Sequence, residues 1–156
     1  MNPAPFCVHL VSWPVEAQRL STVRRRVFID EQGVPEALEW DEHDRSSVHA
    51  LALNSLGTAI GTGRVLPDGH IGRMAVLPAW RGLGVGATIL QRLLDVAASA
   101  GHPRAFANAQ VSAIGFYERA GFVAAGPVFD DAGIPHRVMH RDLPDSGGAA
   151  PAAKGR

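Results

Sequence analysis

The sequence predicts an α/β domain built on a mixed, mostly antiparallel sheet that is flanked by helices. Three short apolar segments, 48–54, 58–66 and 70–76, are joined by tight turns, which is typical of an antiparallel meander. An amphipathic helix over 84–100 then leads to a buried strand over 105–109. Because a crossover helix joins strands 70–76 and 105–109, we expect these two strands to be parallel.

Before the meander, the sequence predicts one strand and one helix. The segment 6–11 is rich in β-formers, and Pro14 suits the first turn of a helix, where its missing N–H costs nothing. The helix is expected to run to about Ile29, ahead of the breaker segment 32–35. Three consecutive arginines, 24–26, lie on this helix, and we interpret them as a solvated basic face.

After strand 105–109, the sequence predicts a short helix and two further strands. Ser112 is expected to cap a helix over 113–120, which Gly121 ends. Strands over 122–125 and 136–142 follow and are separated by a turn.

Length and composition indicate a single domain over 1–143, followed by a disordered tail over 144–156. The formal net charge is +0, so no overall field favours nucleic acid or an anionic membrane as a partner. No apolar run approaches the roughly 20 residues that span a bilayer, and no secretory signal is recognisable, so we expect a cytoplasmic protein. The single cysteine, Cys7, excludes an internal disulfide and a cysteine-based zinc cluster, and no metal is expected.

The most informative segment is the glycine-rich loop between strand 70–76 and helix 84–100. Gly82, Gly84 and Gly86 leave backbone N–H groups uncovered by side chains. The positive end of the helix dipole points to the same place. This combination predicts a site for a phosphate or pyrophosphate.

Two common phosphate-binding loops fit this segment poorly. A Walker A loop ends in Gly-Lys-Ser/Thr, whereas residues 86–88 are Gly-Ala-Thr. The dinucleotide fingerprint G-x-G-x-x-G/A is matched within 82–87, but it also requires an acidic residue about 20 positions on to hold a ribose. No Asp or Glu occurs between Asp95 and Glu118.

A third pattern, Arg-x-x-Gly-x-Gly, is met by Arg81, Gly84 and Gly86. A second motif over 108–122 is similar to the pattern N-x-x-A-x-x-x-Y-x-x-x-G-F. With these two motifs in this order, the chain resembles the GCN5-related N-acetyltransferase (GNAT) family over roughly residues 6–143. Two motifs about 25 residues apart are more specific than either motif alone.

Finer features resemble the ElaA-type branch of that family. They lie at 27–32, 41–44 and 133–136. The first two are also similar to acyl-homoserine-lactone synthases, which share the fold. The resemblance to the ElaA branch runs the full length and is favoured, but that branch has no firm acceptor.

The resemblance implies acetyl-CoA as co-substrate, bound in a cleft where the parallel strands splay apart. The strand before the loop would face the pantetheine arm, and the loop itself would bind the pyrophosphate. The residues assigned to the cofactor are Met74, Ala75, Val76, Arg81, Gly82, Leu83, Gly84, Val85, Gly86 and Asn108.

Acetyl transfer to an amine requires a neutral amine, although an alkylamine has a pKa of about 10.4, and it requires a hydrogen-bond donor for the thioester oxygen. The backbone N–H of Val76 is the candidate donor. The resemblance assigns Tyr117, the only tyrosine, as general acid towards the leaving thiolate. Glu31 and His136 are the candidate bases, and a water chain is the alternative.

The acceptor is expected to be an amine of a small molecule or peptide, and the protein a monomer or homodimer. An acidic cluster allows three interpretations, a solvated loop, an acceptor groove that attracts a cationic amine, or a metal site. Its members are Glu36, Glu39, Asp41, Glu42 and Asp44. The alternative function is a non-catalytic domain that binds acyl-CoA on the same fold.

Overall fold

Seven strands form one sheet in the computed structural model, which describes residues 5–144. The strands are β1 (Phe6–Val11), β2 (Val48–Asn54), β3 (Ala59–Val65), β4 (His70–Val76), β5 (Arg104–Gln110), β6 (Val123–Asp131) and β7 (Ile134–Asp142). They are ordered β1-β2-β3-β4-β5-β7-β6. Neighbouring strands are antiparallel except β4 and β5, which are parallel. The predicted mixed, mostly antiparallel sheet with one parallel pair is confirmed.

Helices and helical turns connect these strands. They are α1 (Trp13–Arg24), a π-helical segment (Arg25–Glu31), α2 (Glu36–Glu39), a 3-10 turn (Glu42–Arg45), a second 3-10 turn (Pro78–Trp80), α3 (Val85–Ser99), a third 3-10 turn (Val111–Ala113) and α4 (Ile114–Arg119). The helix expected to reach Ile29 is α-helical only to Arg24, and the wider π form follows. Ser112 does not cap α4, because it lies inside the third 3-10 turn and Ala113 holds the capping position.

The two faces of the sheet are covered by different helices. Helix α3 buries an apolar stripe against one face, where Ile89 and Leu93 are fully buried. Gly63 on β3 permits this close approach, since a Cβ there would lie 2.6 Å from the Met74 sulfur and 2.9 Å from Ile89. The π-helical segment packs Val27 and Phe28 onto the opposite face, beside Ala75.

Strands β4 and β5 are paired over a short stretch only. Their register pairs are His70 with Phe106 and Ile71 with Ala107, so the strands separate beyond Ile71. The β3–β4 register shifts opposite this point, and Arg73 adopts a left-handed backbone with φ of 50°. This irregularity is the mark of a β-bulge, which bends β4 and opens a gap towards the glycine loop.

The tail expected over 144–156 lies, from 145 onwards, outside the described residues. In the part of the chain that is described, no helix is both long and apolar enough to cross a membrane.

Candidate active site

The glycine-rich loop leaves β4, passes through the 3-10 turn and enters α3 at Gly84. Gly82 and Gly84 have φ of 77° and 88°, and a Cβ at either position would meet no atom within 4 Å. Backbone conformation rather than space therefore requires glycine there. The first intrahelical bond is donated by the Thr88 N–H to the Gly84 carbonyl at 3.0 Å, so the three preceding N–H groups have no acceptor within α3. This end of α3 can accept an anion.

Gly86 brings the start of α3 close to α4. A Cβ at Gly86 would lie 3.2 Å from the ring of Phe116 and 3.7 Å from Val76. The neighbouring Leu83 is about one-third exposed, whereas Val85 is fully buried. Within the assigned loop, side-chain bulk is therefore excluded at Gly86 and used for packing at Val85.

The backbone of Val76 faces the gap between β4 and β5. The Leu77 N–H donates to the Ile60 carbonyl of β3 at 2.9 Å. Because hydrogen-bonded and non-bonded pairs alternate in an antiparallel ladder, the N–H and carbonyl of Val76 point away from β3. The Val76 N–H thus has the direction expected of a donor to a thioester oxygen in the gap.

The side chains of Met74 and Ala75 both pack against the protein, although only Ala75 is fully buried. Met74 packs against the core beneath α3, and Ala75 is buried beside the π-helical segment. The N–H and carbonyl of Ala75 point towards Thr62 of β3, in alternation with those of Val76, so Ala75 borders the gap without presenting hydrogen-bonding groups to it. Asn108 on β5 is exposed and lies opposite Val138 of β7.

Arg81 and Glu31, assigned to different roles, form an ion pair. Two guanidinium nitrogens of Arg81 each donate to a Glu31 oxygen at 2.7 Å, and its Nε donates to the Val76 carbonyl at 2.8 Å. These hydrogen bonds lower the pKa of Glu31 and raise that of Arg81. A carboxylate held in this way is a weak proton acceptor.

Tyr117 is buried among aromatic rings in the second half of α4. Its ring centroid lies 5.2 Å from that of Phe116 and 5.3 Å from that of Phe122, and both contacts are edge-on. Burial alone raises the pKa of Tyr117 well above its usual range. The phenol therefore keeps its proton at neutral pH and is equipped to donate a hydrogen bond.

His136 has one ring nitrogen fixed and the other open. Its Nδ1 lies 2.7 Å from the Ile134 carbonyl. Because a carbonyl can only accept, Nδ1 carries the hydrogen and Nε2 is the basic nitrogen. The ring is largely buried and stacks on Phe129 at 5.8 Å between centroids.

Two glutamines that were not assigned to the site connect its two sides. Gln110, at the end of β5, lies opposite His136 in the β5–β7 register. Its side-chain amide donates to the Gln32 side chain at 2.9 Å. Both glutamines lie in or beside motifs that the sequence shows, since Gln32 ends the segment 27–32 and Gln110 follows Asn108 by two positions. No sequence pattern indicates that the two side chains contact each other.

Of the three interpretations of the acidic cluster, the solvated loop is wrong for its two buried members. Glu39 and Asp44 are 3% and 2% exposed, and both bind Arg24, which is fully buried. Arg24 donates to Glu39 at 2.8 Å and to Asp44 at 2.7 Å. Its guanidinium also lies 5.1 Å from the centroid of the Trp40 ring. The solvated basic face expected of the three arginines is therefore wrong at Arg24.

The same cluster supports the bulge in β4. Arg64 donates to Asp41 at 2.7 Å and to Asp44 at 2.8 Å. Arg73, the residue with positive φ, lies 3.2 Å from a Glu39 oxygen and 3.3 Å from an Asp41 oxygen. The charges of the three buried or half-buried carboxylates are thus matched by arginines of the protein. Among residues 5–144, no group of three His, Cys, Asp or Glu side chains is placed to hold a metal ion.

Comparison with known proteins places this geometry in a family. A family profile described as an acetyltransferase (GNAT) domain matches residues 16–143. The chain is 38% identical over 124 residues to the uncharacterized N-acetyltransferase YjcF of Bacillus subtilis, covering 77% of this chain and 88% of that protein.

Solved structures share the fold. An acyl-CoA N-acyltransferase from Pseudomonas aeruginosa matches with a TM-score of 0.75 and 28% identity, over 89% of this chain and 99% of that one. Escherichia coli ElaA matches with a TM-score of 0.77 and 24% identity, over 87% and 99% of the two chains. By sequence and by fold, the chain belongs to the GNAT acetyltransferase family.

Proposed function

We propose that this protein transfers an acetyl group from acetyl-CoA to an amine of a small molecule or peptide, by direct attack within a ternary complex. The observation that carries the proposal is the position of the glycine-rich loop and the start of α3 at the open end of the β4–β5 gap. A ligand that carries a pyrophosphate at one end and a thioester at the other matches this layout. The relative from Pseudomonas aeruginosa is named an acyl-CoA N-acyltransferase, which supports an acyl-CoA donor.

The residues of the loop fit the pyrophosphate. The unpaired N–H groups of Val85, Gly86 and Ala87 and the positive end of α3 are the donors that a phosphate oxygen requires. Arg81 supplies a full positive charge. The pantetheine arm would then lie along the edge of β4 formed by Met74, Ala75 and Val76, where the Val76 backbone faces the gap.

At the reacting end, the backbone N–H of Val76 and the phenol of Tyr117 would stabilise the charges that develop on the thioester. The Val76 N–H would stabilise the negative charge that develops on the thioester oxygen. The nitrogen of the amine forms a bond to the carbonyl carbon, and the carbon–sulfur bond breaks. Tyr117 would donate a hydrogen bond to the departing sulfur.

The amine proton must go to a base, and the geometry favours His136 over Glu31. The open Nε2 of His136 has the free lone pair that a base needs. Both oxygens of Glu31 are bound to Arg81. We therefore assign proton removal to His136, directly or through water, and expect the reaction to occur in the cytoplasm in a monomer or homodimer.

Two measurements test the proposal in sequence. Thermal unfolding is followed with acetyl-CoA, CoA, NAD and ATP; a ligand at about 100 times its Kd stabilises by about 2.7 kcal/mol, which is several degrees in Tm. We expect a shift with acetyl-CoA and CoA only, and then release of free thiol when an amine is added. A shift with NAD alone would refute the cofactor assignment. Binding without thiol release over a broad amine panel would favour the non-catalytic acyl-CoA-binding domain.

A further inference from the structure

Every nitrogen of the Arg81 guanidinium is engaged within the protein. Two of them bind the Glu31 carboxylate and the third binds the Val76 carbonyl. This carbonyl faces the β4–β5 gap, so the Arg81 side chain is folded over the edge of β4 that borders the gap. Arg81 is also the only charged residue in the segment 77–88. The one formal positive charge of the loop is thus neutralised by a carboxylate from 50 positions earlier in the chain.

We propose that Glu31 is an internal competitor of the pyrophosphate, which holds Arg81 when no acyl-CoA is bound and releases it when acyl-CoA binds. This inference rests on the proposed function. It assigns Glu31 the role of a positioning residue that sets acyl-CoA affinity through Arg81.

The ion pair is built in a way that permits exchange. The side chains of Arg81 and Glu31 are 42% and 40% exposed, so the pair is well solvated and is worth little compared with a buried one. A pyrophosphate offers two negative charges to the same guanidinium, and the start of α3 adds its dipole. A pyrophosphate that enters the site is therefore expected to bind Arg81 more strongly than Glu31 does.

The position of Glu31 is held independently of Arg81. The next residue, Gln32, is bound by Gln110 of β5 at 2.9 Å, and the Gln32 N–H donates to the Val27 carbonyl at 3.1 Å. These contacts keep the end of the π-helical segment beside the gap after Arg81 leaves. The exchange thus requires rotation of side chains and no rearrangement of the backbone.

The test is the affinity for CoA, measured by isothermal titration calorimetry. We expect Glu31→Gln to bind CoA about two- to fivefold more tightly than the natural protein, the fold-change that an exposed ion pair contributes. Glu16→Gln is the matched control, because Glu16 also forms a two-bond pair, at 2.9 Å, with an arginine that is 42% exposed. This control should leave CoA affinity unchanged.

A double-mutant cycle shows whether Arg81 transmits the effect. Arg81→Ala should weaken CoA binding, and adding Glu31→Gln to it should have no further effect. If Glu31→Gln leaves CoA affinity unchanged or weakens it while the natural protein binds CoA, the competitor role is wrong. If the natural protein does not bind CoA, the proposed function itself fails.

Discussion

Replacing Arg24 with alanine tests the buried charge network that supports the β4 bulge. The change removes hydrogen bonds of 2.8 Å and 2.7 Å to Glu39 and Asp44, and one of 3.0 Å to the Glu39 carbonyl. Both carboxylates stay buried, with Arg73 and Arg64 as their remaining partners. Removing one partner from a buried ion pair costs about 3 to 5 kcal/mol.

The assay is urea and thermal unfolding of purified Arg24→Ala beside a neighbouring control. For a domain of this size, each kcal/mol shifts Tm by about 2 to 4 °C, so we expect a loss of about 6 to 20 °C. Arg25→Ala is the control, because Arg25 pairs at the surface with Glu36, and its removal should cost at most about 1 kcal/mol. Equal losses for the two variants would refute the argument that burial makes Arg24 indispensable.

Three further predictions concern catalysis and acid stability. Tyr117→Phe should lower kcat about 10- to 100-fold with little change in CoA affinity, because one hydrogen-bond donor to the leaving sulfur is lost; an unchanged kcat would remove Tyr117 from the mechanism. His136→Ala should abolish the rising limb of the pH–rate profile, whereas Glu31→Gln should preserve it; if neither variant alters that limb, neither residue is the base. Hydrogen bonding to Arg64 lowers the pKa of Asp41 to about 2. The stability that Asp41 contributes is therefore complete above its unfolded pKa of about 3.9 and is lost as the pH falls through about 2. Asp41→Asn should accordingly be less stable than the natural protein at pH 6 and approach it near pH 2 in thermal unfolding, and a constant difference across this range would contradict the assignment.

The parts of the fold that the sequence predicts well are those with strong local signals. Strands 48–54 and 70–76 have the bounds expected of them, since turn residues adjoin both segments. Strand β6 is longer than the predicted 122–125, because a register shift after Ala125 lets pairing resume at Phe129. The alternation of apolar and polar residues along one strand does not indicate such an interruption in its pairing.

The features that sequence patterns miss depend on distant partners. Arg24 lies between Val23 and Arg25 on a helix and looks like a surface residue, but its carboxylate partners lie 15 and 20 positions away. The contact between Glu31 and Arg81 spans 50 positions. The motif around Arg81 predicted an anion site, and segment 27–32 was recognised separately, but neither pattern indicated that Glu31 pairs with Arg81.

The short junction between β4 and β5 gives the sheet a mechanical property. With pairing limited to His70–Phe106 and Ile71–Ala107, the sheet consists of a four-stranded plate and a three-stranded plate that are hinged at one end. Helix α3 contacts strands of both plates. Widening the open end would break none of these strand hydrogen bonds, so the sheet itself offers little resistance to a small rotation of one plate against the other. The resistance to such a rotation then comes from the packing of α3 across both plates.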